Sequence, residues 1–331
     1  MQPALPVTAA LVITAVAFDF LNGFHDSANV VATTISSRAL KPREALIMAA
    51  AAEFSGPFLF GVAVATTIGH EIVAAEAITT SVLFAGLMGA IAWNLITWLL
   101  GIPSSSSHAL IGGLVGAVAM GYGFSAILLP GIRKTVIALL VSPVLGLLMG
   151  YVLMKCILWL SRLATPKANS FFKRAQICTS LGLALSHGTN DAQKTMGIVT
   201  MALLSGGVID SFHVPVWVIA LCASAIALGT FTGAQRIIRT LGTKFYRIRP
   251  INGFGAQVAS ASIILGAALL GGPVSTTQVV SSTIVGVGAA ERVSKIRWGV
   301  ARDILLAWIL TIPASMLVAA LLYIPFRAWL G

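Results

Sequence analysis

Apolar residues fill this chain in long runs broken by short polar stretches, near 4–24, 44–69, 77–100, 108–129, 135–160, 176–204, 213–234, 251–271, 276–290 and 300–323. A helix of roughly 20 apolar residues crosses a hydrocarbon core of about 30 Å. Strands of a membrane barrel would instead alternate apolar and polar positions, and these runs do not. The pattern predicts an all-α integral membrane protein with about 10 transmembrane helices. The first run follows Met1-Gln2-Pro3 with no basic stretch and no small-residue cleavage site before Asp19. It reads as a retained span, and no attached soluble domain is expected.

The polar interruptions repeat. Gly23-Phe24-His25-Asp26-Ser27-Ala28-Asn29 reappears as Gly188-Thr189-Asn190-Asp191-Ala192-Gln193-Lys194, 165 positions on. Pro103-Ser104-Ser105-Ser106-Ser107-His108 reappears as Pro273-Val274-Ser275-Thr276-Thr277-Gln278, 170 positions on. The chain therefore divides into a first repeat with its linking helix, 1–160, and a second repeat, 161–331. Asp26 ends the first run and Asp191 lies in the sixth, so five crossings separate them and the copies should run in opposite directions. The nearly uncharged loops 101–107 and 271–277 then read as two re-entrant hairpins that meet near the membrane centre. Inverted repeats around a midplane site are the architecture of many transporters that alternate between inward-open and outward-open states.

Composition agrees with the span pattern. Apolar residues make up 57% and charged residues 9% of the chain, against about 25% charged in soluble proteins, and the mean hydropathy is +0.95. The net charge of +11 sits in four clusters: Arg38/Lys41/Arg43, Arg162/Lys167/Lys173/Arg174, Arg236/Arg239/Lys244/Arg247/Arg249 and Arg292/Lys295/Arg297/Arg302. These fall on one face if the runs alternate, so they mark the cytoplasmic side of a cell (inner) membrane and not a nucleic-acid surface. Both termini are then extracytoplasmic. Arg133/Lys134 is an exception, while Glu71, Glu76 and Asp210 fit the outer face. Cys156, Cys178 and Cys222 lack metal-like spacing and are expected to be small buried packing residues.

Each Pro-hydroxyl motif reads as a helix start, with Pro where no backbone N–H is needed and hydroxyls free to cap or point outward. Free N–H groups and the helix dipole attract an oxyanion there, although Ser and Thr within helices also bond to backbone. The candidate substrate-binding residues are Asp26, Asn94, Ser105, Ser106, Ser107, Asp191, Ser275, Thr276 and Thr277. Candidates for the coupling ion are His25, Asp26, Asn29, Asn190 and Asp191. Asp26 and Asn29 share a helix face and offer oxygen ligands for Na⁺ or a protonatable carboxylate. Asp191 and Lys194 have the same spacing and could neutralise each other. An imidazole at His25 suits a proton path or a structural hydrogen bond. Glu53 is either functional or a buried tie between close-packed helices; His108 and His187 read as packing or supporting groups.

These motifs together resemble the inorganic phosphate transporter (PiT) family over nearly the whole chain: Gly23 to Asn29, His187 to Gly197, Pro103 to His108 and Pro273 to Gln278. The resemblance implies a secondary symporter of inorganic phosphate and no enzymatic activity. It also implies that Asp26, Asp191 and the hydroxyls at 105–107 and 275–277 surround phosphate and ion, with Asn29, Asn94 and Asn190 nearby. His at position 25, where sodium-coupled members have Asn, resembles the bacterial low-affinity, proton-coupled branch, whose substrate is similar to a neutral metal–phosphate complex. H⁺ is thus favoured over Na⁺, no cofactor is expected, and a divalent metal accompanying phosphate and a homodimer are left open. The short linker from Arg162 to Arg174 looks bacterial or archaeal. The rivals are a sulfate or other oxyanion permease on the same scaffold, a passive channel, and, remotely, an intramembrane hydrolase using Ser105 or Ser107 with His108 or His187. The last lacks a Gly-x-Ser-x-Gly elbow.

Overall fold

The computed structural model describes residues 5–162, 165 and 167–330. Met1-Gln2-Pro3 and part of the linker from Arg162 to Arg174 lie outside the described residues. The described chain is all-α: α1 (Leu5–Ser36), α2 (Pro42–Phe60), α3 (Ala63–His70), α4 (Thr80–Leu100), α5 (Ser106–Tyr122), α6 (Leu129–Leu160), α7 (Lys167–Ser205), α8 (Val216–Thr232), α9 (Gln235–Arg239), α10 (Pro250–Leu269), α11 (Thr276–Glu291) and α12 (Trp298–Leu330). A π-helical turn, Thr240–Lys244, continues α9.

Among the described residues, five helices are long and apolar enough to cross a membrane: α1, α4, α6, α10 and α12. Two bent pairs, α2 with α3 at 82° and α8 with α9 and its π turn at 64°, raise the number to seven. The apolar run 44–69 is thus broken, at Gly61, whose φ of +80° suits a residue without Cβ. At 17 and 16 residues, α5 and α11 are about 25 Å long, short of a full hydrocarbon core.

α1 also departs from its predicted end. It continues to Ser36, which puts Asp26 inside the helix. The hydroxyl-rich stretch past Asp26 looks like a loop in sequence, yet its side chains are buried and paired. Thr34 donates to Ser180 at 2.9 Å, Ser37 to Gln176 at 2.6 Å, and Gln257 donates to Thr33 and Thr34 at 2.9 and 2.7 Å. Pairing satisfies polar groups that water would otherwise have to reach.

Several of the most extensive packings join the first six helices to the last six: α6 on α11, α5 on α12, α1 on α8 and α2 on α7. Glycines let the last two pairs close. Gly23 faces the backbone of Ile226 and Gly229 that of Phe20; Gly188 faces the backbone of Glu53 and Gly56 that of Leu185. α1 and α7 themselves lie antiparallel, with Thr8 against Gly206, Asp19 beside Thr195 and Thr34 against Ser180.

Two apolar cores result. One holds Leu11, Ala15 and Phe18 of α1 with Met196 and Val199 of α7. The other holds Ala28, Val30 and Val31 of α1 with Leu183 and Ala184 of α7. Between them both helices carry a buried polar layer, 19–27 and 186–195, sealed above and below by apolar packing. The outward faces of α6 and α12 expose Leu140, Val144, Leu148, Leu305 and Ile309, as lipid-facing helices do. Cys222 is buried, as expected, but Cys156 and Cys178 are exposed. They lie on outward faces, where lipid replaces the packing a soluble protein would provide.

Candidate functional site

The tips that precede α5 and α11 reach the polar layer. Gly101 and Gly271, with φ of +67° and +69°, turn the chain after α4 and α10. The next helix in each case opens on a hydroxyl cap: Ser105 accepts from the His108 backbone N–H at 3.2 Å, and Ser275 from that of Gln278 at 3.3 Å. Ser105 and Ser275 are therefore committed to capping, which leaves Ser106, Thr276 and Thr277 for the acids, while Ser107 donates to the Val274 carbonyl of the other tip at 3.1 Å.

Asp26 is held by hydroxyls from both halves and by an imidazole. Its Oδ2 accepts from Ser106 at 2.9 Å and its Oδ1 from Thr277 at 3.2 Å, with His25 Nδ1 at 2.8 Å from Oδ1. Asn29 donates to Thr277 at 3.0 Å. The other edge of the His25 ring lies 3.4 Å from Thr97, which pairs with Ser104 at 2.8 Å.

Asp191 is held by an ammonium, a hydroxyl and an imidazole. Lys194 Nζ bonds its Oδ1, Thr276 donates to Oδ2 at 3.0 Å, and His187 Nε2 lies 3.1 Å from Oδ2. Lys194 also donates to Ser107 at 2.5 Å and to the Val274 carbonyl at 3.0 Å, so it crosses to both tips. Behind His187, Glu53 Oε1 lies 2.9 Å from Nδ1, and Thr230 donates to Oε2 at 2.5 Å. Both His187 nitrogens are within ion-pair distance of a carboxylate but poorly aligned for a hydrogen bond.

Most of the residues singled out in the sequence thus meet in one place, and all of them are buried. Asn190 bonds the Gly272 carbonyl at 3.3 Å and keeps a free Oδ1. Asn94 is buried with neither side-chain atom partnered among the described residues. His108 points elsewhere, into a cavity of about 600 Å³ between α5, α6, α11 and α12, where Gln278 and Trp308 also lie. Neither Ser105 nor Ser107 bonds a histidine ring among the described residues, so no serine–histidine nucleophile is assembled.

His187, expected as a packing or supporting group, sits between two acids, and Thr230 carries no motif that marks it in the sequence. An acid inside an apolar run, Glu53, and a histidine beside a motif glycine were the available signals. One cluster decides the geometry: donor atoms of Asp26, His187 and Asp191 all lie within 4.8 Å of one another. Acids from opposite halves of the chain converge there.

The sequence profile of the phosphate transporter family matches residues 22–166 and 161–319. The chain belongs to this family. A "Probable low-affinity inorganic phosphate transporter" of Rhizobium meliloti (strain 1021) is 47% identical, covering 97% of this chain and 96% of its own length. One of the same description from Bacillus subtilis (strain 168) is 46% identical over 98% of both chains. Among solved structures, "The sodium-dependent phosphate transporter" superposes with a TM-score of 0.88 at 26% identity, covering 98% of this chain and 100% of that one. These relatives are transporters and not enzymes, and the membrane fold described above is the phosphate transporter fold.

Proposed function

We propose that this chain is a secondary symporter of inorganic phosphate in the cell (inner) membrane, binding substrate between Asp26, Asp191 and the two hydroxyl tips. The observation that carries the reading is the meeting of the two carboxylates with Ser106, Ser107, Thr276 and Thr277 in one buried layer.

Coupling follows from hydrogen-bond competition. Ser106, Thr276 and Thr277 donate to the carboxylates here, so they are free for phosphate oxygens only when a cation or proton neutralises the acids. Substrate and cation then lower each other's binding cost, which is what a symporter needs. Lys194 holds Asp191 and reaches both tips, so it keeps the donors in register around the entering anion. Antiparallel α1 and α7, each carrying one acid motif, support inverted repeats 1–160 and 161–331 that rock about this layer. Ten crossings with re-entrant tips at 101–107 and 271–277 fit the same scheme, with the basic clusters cytoplasmic and both termini outside.

The His25 ring beside Asp26 favours H⁺ as the coupling ion. Na⁺ is the second reading, favoured by the sodium-dependent structural neighbour. Asp26, His187 and Asp191 also fit a divalent metal travelling with phosphate as cargo, since carboxylate oxygens and one imidazole suit such an ion and phosphate would supply further ligands. Counterflow of labelled phosphate in proteoliposomes, with Na⁺, pH and Mg²⁺ varied separately, tests all three. Uptake driven by a Na⁺ gradient and indifferent to a pH gradient would overturn proton coupling; uptake of sulfate in preference to phosphate would overturn the substrate.

A further inference from the structure

A fourth buried acid, besides Asp26, Asp191 and Glu53, stands in the polar layer, outside the site just described. Asp19 lies two helical turns before Asp26 on α1, fully buried, and neither carboxylate oxygen has a hydrogen-bond partner among the described residues. Thr195 of α7 and Cys222 of α8 lie beside it, close enough to interact but without hydrogen-bond alignment. The charged groups that face it are Asp191 and Lys194 of α7 and Glu53 of α2, with His25 and Asp26 further along its own helix.

Asp19, Asn22, Asp26, Asn29 and Thr33 recur at three- and four-residue spacing, so they form one continuous polar stripe along α1. All five are buried, and Asn22 Oδ1, between the two acids, is likewise unpartnered. The corresponding positions in α7 begin with Ala184, which has no acid. The two-fold pattern that explains Asp26 and Asp191 therefore does not require Asp19. About 10 Å of helix separates it from Asp26, toward the N-terminal end of α1.

A buried carboxylate with no partner needs a cation or a proton. The surroundings select between them. Leu11, Ala15, Phe18 and Ile226 pack around this end of the layer, and the thiol of Cys222 is a poor ligand for a hard cation such as Na⁺. We propose that Asp19 is the proton-loading residue of the transport cycle, taking a proton from water on the N-terminal side of α1 and passing it along the stripe to Asp26. An O–H bond forms at Asp19 as one breaks in hydronium; it breaks again when Asp26 accepts the proton, which leaves to water after the site opens inward. The proposal rests on the proton-coupled reading above.

The test compares wild type, Asp19→Asn and Asp19→Glu in proteoliposomes, reading labelled phosphate and, with a trapped dye, proton influx. Wild-type accumulation driven by a pH gradient without Na⁺ is the control for the parent reading; its absence sinks that reading before any variant is considered. With the control passed, Asp19→Asn should lose about tenfold or more in gradient-driven accumulation and in protons entering per phosphate. Phosphate counterflow at equal pH should persist, and Asp19→Glu should restore proton influx. Asp19→Asn that accumulates phosphate as wild type does overturns the proposal. So does equal loss of counterflow, which marks a structural role, and so does failure of Asp19→Glu to recover proton influx.

Discussion

Asp26 and Asp191 occupy matching motif positions in the two halves of the chain, and both meet a tip hydroxyl and an imidazole, yet only Asp191 faces an ammonium. Asp26 is held by hydroxyls and a neighbouring imidazole, Asp191 by a lysine and by a histidine that Glu53 backs. Hydroxyls exchange partners by rotating about one bond, so Asp26 can trade them for a cation at small cost. A buried carboxylate–ammonium pair cannot be opened without leaving two bare charges in a dry layer. The comparison teaches that a symmetric pair of acids can divide labour, Asp26 as the exchanging group and Asp191 with Lys194 as the fixed frame.

The largest expected effect separates them directly. Asp191→Asn strands the Lys194 ammonium and should cost about 3–5 kcal/mol of stability as well as transport. Asp26→Asn keeps shape and one acceptor, so it should cost under about 2 kcal/mol while abolishing coupled uptake. Thermal unfolding in detergent, read by size-exclusion recovery, measures the first quantity and proteoliposome uptake the second. Equal melting of the two variants would break the comparison.

Lys194→Met sharpens it. Alone it leaves Asp191 without its ammonium, with only Thr276 and His187 beside it, and should destabilise nearly as much as Asp191→Asn. Combined with Asp191→Asn it removes both charges, and the double variant should recover about 0.5–3 kcal/mol relative to the sum of the single losses. Transport should stay lost in the double variant, because Thr276 has no carboxylate to exchange and only Asp26 of the two acids remains for the cation. Additive stability losses would mean that the pair is not the frame.

Why sequence revealed one side of this contrast better than the other follows from how each is built. Asp26, Asp191, Ser106 and Thr276 were legible because each motif occurs twice along the chain. The Asp191–Lys194 pairing was legible because three residues apart on a helix means one face. His187, four residues before Asp191 on α7, is within reach of the same spacing argument, whereas Glu53 and Thr230 reach it only through the packing of α2 and α8 around α7 and α1, which no local spacing encodes. The extension of α1 past Asp26 was hidden for a related reason. Its hydroxyls are satisfied by Ser180, Gln176 and Gln257, distant in sequence, so polarity there signals a helix contact and not a loop.

A smaller effect distinguishes capping hydroxyls from those on the acids. Ser105→Ala should cost about 1 kcal/mol through loss of the α5 cap and leave the phosphate dependence of uptake nearly unchanged. Ser106→Ala should cost no more stability than that, but should raise the phosphate concentration needed for half-maximal uptake by about tenfold, since it removes a donor worth about 1.4 kcal/mol. Identical uptake curves for the two variants would erase the distinction between tip and cap.

The smallest effect comes from a carboxylate outside the layer, which repeats the pairing of Asp191 at the membrane face. Glu291 sits at the end of α11 with Arg249, Lys295 and Asn252 all donating to it. Burial pushes its carboxyl up, but the hydrogen bonds from Lys295, Asn252 and Arg249 outweigh that and hold it below its ordinary value of 4.5. Its contribution to stability is therefore fully present above that ordinary value and is lost as the pH falls through the lower folded value. Arg249 is exposed and water screens the cluster, so Glu291→Gln at pH 7 should lower the melting temperature by only about 1–2 °C. The difference between Glu291→Gln and wild type should vanish in acid, while the loss from Lys194→Met, shut away from solvent, should persist over the same range. A Glu291→Gln penalty as large as that of Asp191→Asn would mean that pairing alone sets the cost, and that burial of the Asp191 frame between two apolar cores contributes nothing.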